Sequence, residues 1–108
     1  METEREQKQI KELSDKITLK VFRVGCDDKN YNIIKSLPNT FKQLESNMGI
    51  TKMPIAKRLN ELESVGLLEW KKGKGLIKST NFTLKFIKLV ESINQEVNKN
   101  ILNFIALK

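Results

Sequence analysis

The stretch that most limits how this chain can fold is residues 40–78, TFKQLESNMGITKMPIAKRLNELESVGLLEWKKGKGLIK. Its apolar residues change spacing part-way, which predicts two short helices followed by two strands. In the first helix Phe41 and Leu44 share a face, and Asn39 stands where a cap is needed. Asn47-Met48-Gly49 makes the corner, with Gly49 free to adopt the positive φ that such a corner requires. Ile50 follows as a core plug, and the Thr51 hydroxyl is placed to cap the second helix. There Ile55, Leu59 and Leu62 recur at spacings of four and three, forming one inward stripe. Pro54 lies in the first turn, where its missing N–H costs nothing. Gly66 ends the helix, and Leu67, Leu68 and Trp70 open a strand. The reversal Lys71-Lys72-Gly73-Lys74-Gly75 joins that strand to the next as a hairpin.

Composition sharpens this picture. The chain has 108 residues, enough for one domain with one modest core. Twenty Lys and Arg against 13 Asp and Glu leave a formal charge of +7. An excess of that size points to a polyanionic partner, either nucleic acid or an acidic membrane surface. It is unevenly placed: residues 71–78 contain Lys71, Lys72, Lys74 and Lys78 and no acid. Taken alone, such lysines also serve to guard a hairpin edge against aggregation. With no histidine and one cysteine, Cys26, neither zinc coordination nor Cys-His or Ser-His catalysis is expected. Cys26 reads as a small structural residue, or as one half of a disulfide across a dimer axis. Asp27-Asp28 reads as a capping turn, not a catalytic pair, and KKGKG lacks the spacing of a phosphate-binding loop. No enzyme activity, metal or cofactor is expected. The charged N-terminus METEREQKQIKEL predicts no leader, and no run reaches the roughly twenty apolar residues of a membrane span. A cytoplasmic protein is the expectation.

Long helices are predicted on both flanks. In residues 1–24, Ile10, Leu13, Ile17, Val21 and Val24 form one helical stripe. Gly25 and Cys26 break it, and either Asp27 or Asp28 can cap the next helix, which carries Tyr31, Ile33, Ile34 and Leu37 up to Pro38. Thr83 is placed to cap the last helix, 84–107, whose stripe is Phe86, Val90, Ile93, Val97, Ile101 and Phe104. That helix would span about 35 Å, more than the small central unit can cover. The stripe has the spacing of a coiled-coil seam, so the two terminal helices are expected to pair with each other and a second copy to bury the remainder.

The segment ITKMPIAKRLNELESVGLLEWKKGKG resembles the recognition helix and wing of winged helix-turn-helix transcription regulators of the MarR, ArsR and PadR kind. The shared pattern is a cap residue, a polar face, the pair Leu59 and Leu62, then Gly66-Leu67 and a basic hairpin. The resemblance implies a mainly α fold with a small β-hairpin (α+β), a winged helix-turn-helix with long terminal helices. Within one domain, 1–108, the N-terminal helix occupies 1–24 and the winged-helix core 27–82. Inside that core the helix-turn-helix takes 40–65 and the wing 67–81, and a dimerisation helix occupies 83–107. A metal-sensing ArsR member would need thiolate or imidazole ligands that this chain lacks.

The resemblance also assigns roles. With Ile55 turned inward, 100° per residue sends Met53, Lys57, Asn60 and Glu61 outward and puts Pro54 and Arg58 on the flank. Lys52, Met53 and Lys57 are then the candidates for base contact in the major groove of double-stranded DNA. Arg58, Thr51, Asn39, Thr40, Lys42 and Gln43 are candidates for phosphate contacts, and Lys71, Lys72, Lys74 and Lys78 for the backbone or minor groove. Ile10, Leu13 and Ile17, with Phe86, Val90, Ile93, Val97, Ile101 and Phe104, are the candidate interface of a homodimer. Repression is the commoner output of so small a regulator. MarR-like regulators hold small-molecule effectors beside their dimer helices, and the apolar residues here would line such a pocket or fill it. Two rivals stand beside this reading: a winged-helix protein-interaction subunit of a transcription or replication assembly, and an architectural DNA binder with little sequence preference.

Overall fold

The computed structural model describes residues 3–49, 52–71 and 75–106, apart from the Lys52 side chain. The elements run α1 (Glu4–Gly25), α2 (Asp28–Lys35), β1 (Asn39–Thr40), α3 (Phe41–Met48), α4 (Lys52–Ser64), β2 (Glu69–Trp70), β3 (Leu76–Lys78) and α5 (Asn81–Ala106). The strands form one antiparallel sheet in the order β1-β3-β2. Asn39 pairs with Ile77 and Thr40 with Leu76, while Glu69 pairs with Lys78 and Trp70 with Ile77. A mainly helical chain with a small antiparallel sheet is the expected α+β architecture. The third strand, β1, was not expected, because two residues are too few to show an alternating pattern.

Local chemistry sets each boundary. Thr3 and Glu6 close a capping box at the start of α1, and Asp27 caps α2 by accepting from the N–H groups of Lys29 and Asn30. Two expected caps are displaced. Asn39 lies in the sheet, so Thr40 becomes the cap of α3 and exchanges hydrogen bonds with Gln43 in a capping box. At α5 the cap is Thr80, whose hydroxyl accepts from the Thr83 N–H at 3.1 Å. The Thr83 hydroxyl accepts in return from the Thr80 N–H at 2.9 Å. Two corners use glycine as expected. Gly49 closes α3 at φ 63°, and Gly66 stands at φ 81° beyond α4. The Gly66 N–H reaches the Glu63 carbonyl and the Leu67 N–H reaches that of Leu62, the double bond of a Schellman end. Thr80 and Thr83 then donate to the carbonyls of Gly66 and Leu67, fastening the start of α5 to the end of α4.

The core gathers Val21 and Val24 of α1, Ile33 and Ile34 of α2, Leu44 of α3, and Ile55, Leu59 and Leu62 of α4. Leu67, Leu68, Ile77 and Phe86 complete it. This corrects the expected seam of α5. Phe86 is only 4% exposed and Val90 packs against the same cluster, so both belong to the core of their own chain. The expected pairing of the terminal helices along their length is also absent among the described residues: 3–20 of α1 and its cap, and 91–106 of α5, are all exposed. The two helices meet at one crossing. There the Phe86 ring lies 5.7 Å from Phe22 and 6.5 Å from Tyr31, centroid to centroid, and covers Gly25. Beyond it Ile10, Leu13 and Ile17 on α1 and Ile93, Val97, Ile101 and Phe104 on α5 are each about half exposed or more. Among the described residues, no helix is long and apolar enough to cross a membrane.

The crossing depends on Gly25 having no side chain. A Cβ there would stand 2.6 Å from Phe86 Cζ and 2.8 Å from Leu67 Cδ1, and the ring is boxed in by Phe22 and Tyr31. Alanine in a helix gains roughly 0.5–1 kcal/mol over glycine, but overpacking a core costs about 1–3 kcal/mol. Gly25→Ala should therefore lower the midpoint of thermal unfolding, read by circular dichroism.

Candidate nucleic-acid interface

On α4 the inward stripe and the outward ridge are two consequences of one periodicity. Ile55, Leu59 and Leu62 have no exposed surface and hold the helix from its inner side. At 100° per residue, Met53, Lys57, Asn60 and Ser64 fall opposite them. All four are exposed, and Met53 shows 83% of its surface. With Ala56 and Glu61 they line a shallow open trough along the helix. The ridge thus offers a cation, an amide and a soft apolar group from a helix whose other side is buried in the core. Pro54 is exposed in the first turn, as expected. The residues at the very start, Ile50 and Thr51, lie outside the described residues, as does the Lys52 side chain.

Beside α4, helix α3 presents Lys42 on its surface. Thr40 and Gln43, candidates for phosphate contact on this helix, bind each other across the first turn of α3. The Gln43 N–H donates to Thr40 Oγ1 at 3.2 Å and the Thr40 N–H donates to Gln43 Oε1 at 3.3 Å. Lys71, just past the end of β2, and Lys78 in β3 are exposed. Lys72 and Lys74 lie outside the described residues. A residue absent from the expected set modifies this patch. Glu69 pairs across the sheet with Lys78, and its Oε1 stands 4.0 Å from Lys71 Nζ. Its position next to the buried Leu68 was visible in the sequence, but its registry with Lys78 depends on where the hairpin turns.

Arg58, a candidate for a phosphate contact, has partners within the fold. Its Nη1 donates to Asp27 Oδ1 at 2.7 Å and to Asn30 Oδ1 at 3.0 Å, which turns the guanidinium towards α2. The reason is angular: Arg58 leaves α4 about 100° round from Lys57, on the side where α2 begins. Asp27 is held below the usual carboxylate range, first by the N–H of Asn30; desolvation, next in size, opposes this, and the Arg58 charge and hydrogen bond and the N–H of Lys29 together keep the net shift downward. A second feature lies away from α4, between the end of α1 and the start of α5. It is an apolar cleft of about 360 Å³ with Phe22, Val65, Phe82 and Leu89 in its walls and Lys85 among them.

Because its folded-state pKa is depressed, ionised Asp27 contributes stability above the unfolded carboxylate range, and loses it as pH falls through the folded value. The difference in unfolding midpoint between the parent chain and Asp27→Asn should be full at pH 7 and shrink progressively below about pH 4. Thermal melts of both proteins across that range read it.

No protein-family model matches the chain, and no match is found among curated proteins. Among solved structures the chain is similar to an ArsR-like transcriptional regulator from Rhodococcus sp. RHA1. The TM-score is 0.56 and the identity 23%, over 84% of this chain and 92% of that one. At that identity the likeness is one of architecture: the helices and three-stranded sheet described above have the winged-helix fold of an ArsR-like regulator.

Proposed function

We propose that this protein is a dimeric, sequence-reading binder of double-stranded DNA that regulates transcription, with repression as its output. The observation that carries the reading is the exposed ridge Met53, Lys57 and Asn60 on a helix whose opposite stripe is fully buried. A rigid helix with such a ridge suits entry into a major groove, where lysine donates to guanine and methionine meets the thymine methyl. Further support comes from the net charge of +7 and from the fold shared with a transcriptional regulator. Lys42, Lys71 and Lys78 stand where phosphate contacts would add affinity without reading sequence.

The dimer in this reading forms through the uncovered faces of α1 and α5. Ile10, Leu13 and Ile17 on one helix and Ile93, Val97, Ile101 and Phe104 on the other continue stripes that begin in the core. Their burial against a second copy would set two α4 helices about 34 Å apart, one helical turn of DNA. The whole chain then acts as one unit, its central part meeting DNA and its terminal helices meeting the partner.

Selection from random duplexes at near-physiological salt tests the proposal, and a motif with dyad symmetry is the expected result. Lys57→Ala should weaken the best selected site by roughly 1–3 kcal/mol and unrelated duplexes far less. Recovery of no motif would transfer the helix faces to a protein-interaction role. Replacing Val97 and Ile101 together by Asp should make the protein monomeric in sedimentation and loosen its hold on the paired site steeply, because both half-sites must be held at once. A double variant that stays dimeric would move the seam off α5.

A further inference from the structure

Arg58 is the centre of a polar cluster that joins three helices. Its Nη1 reaches Asp27 and Asn30, both at the beginning of α2. Asn30 is buried, and its Nδ2 donates at 3.0 Å to the carbonyl of Val24 in the last turn of α1. Asp27 Oδ1 accepts from the N–H groups of Lys29 and Asn30 as well as from Arg58. One guanidinium nitrogen on α4 is thereby connected to the end of α1 and the start of α2.

The physical contrast with the rest of α4 is one of direction. Burial of Ile55, Leu59 and Leu62 keeps the helix against the core, but hydrophobic contact is non-directional and tolerates small rotations about the helix axis. Charge-assisted hydrogen bonds from a planar guanidinium do not. A rotation of about 15° would carry a side-chain end about 6 Å from the axis through roughly 1.5 Å. That displacement is larger than a hydrogen bond to a base edge tolerates.

From this geometry we propose that Asp27 and Asn30 are positioning residues for α4. Acting through Arg58, they fix the rotation at which Met53, Lys57 and Asn60 are presented. The inference rests on the proposed reading of α4 as the DNA-contacting helix, and it makes Arg58 a tie within the fold rather than a phosphate ligand. Sequence discrimination then depends on residue 27, which lies outside the helix-turn-helix.

The test must separate the tie from the cap that Asp27 provides to α2. Asp27→Ser retains a good capping oxygen and removes the charge that faces Arg58. Asp27→Ser and Arg58→Ala should each reduce the ratio of selected-site to random-duplex affinity by roughly ten-fold, and the double variant by no more than either. Neither variant should change the dependence of binding on salt, and Arg58→Lys should restore part of the ratio. The proposal is overturned if Asp27→Ser leaves the ratio unmoved, or if Arg58→Ala flattens the salt dependence by about one unit, the mark of a lost phosphate contact. Hydrogen exchange on the same variants without DNA gives an independent decision. Amides of α4 should exchange faster in Asp27→Ser while those around Phe86 keep their protection, and equal exchange in α4 would sink the tie. If the parent chain selects no motif, the DNA-reading proposal fails while the exchange result still decides whether Asp27 positions α4.

Discussion

Everything in this fold is assembled around the buried side of α4. Ile55, Leu59 and Leu62 are fully covered, and α1, α2, α3 and β2 all pack on this helix. Burial of three such side chains contributes about 5–9 kcal/mol on the usual scale, comparable to the net stability of many small domains. The Schellman end at Gly66 and the two threonines at the start of α5 then fix where the chain goes after α4. The residues on the outer side of α4 are consequently free of any packing duty, which is what makes a chemically specialised ridge affordable there.

Such a division was legible in the sequence wherever a periodic signal extends over several turns. The inner stripe of α4, the glycine corners at 49 and 66, and the presence of long helices at both ends follow from spacing and backbone freedom alone. The caps were harder, because Asn39 and Thr40 are both good capping residues and only the pairing of Asn39 with Ile77 decides between them. Thr83 and Thr80 pose the same choice, settled by carbonyls about fifteen residues earlier. Spacing alone places Phe86 and Val90 in an intermolecular seam, because a heptad-like stripe has the same spacing in a core as in a coiled coil. The true surroundings of Phe86 are Gly25, Phe22 and Tyr31, which sequence distance hides. Arg58 shows a similar limit. Helical geometry gives the direction in which it leaves α4, but its partners lie 31 and 28 residues away.

Charge in this molecule is organised more finely than its total suggests. Lys71 and Lys78 are accompanied by Glu69, which lies opposite Lys78 and 4.0 Å from Lys71, so part of the local positive field is offset at close range. At the edge of α4 the Arg58 charge is already neutralised by Asp27. Lys57 and Lys42 carry their charge on open surface, where solvent and salt weaken but do not cancel it. The net excess of +7 therefore overstates what any one face presents.

The single crossing of α1 and α5 has a mechanical consequence. Past Phe86, α5 continues for twenty more residues to Ala106, a rod of about 30 Å whose residues 91–106 are all exposed. It behaves as a lever whose fulcrum is an aromatic ring seated on a glycine. A tilt of about 5° at that seat moves the far tip by roughly 2.6 Å, about half a helical turn. Small changes in how Phe86 rests between Phe22 and Tyr31 are therefore magnified at the tip, while the packing immediately around the ring barely alters.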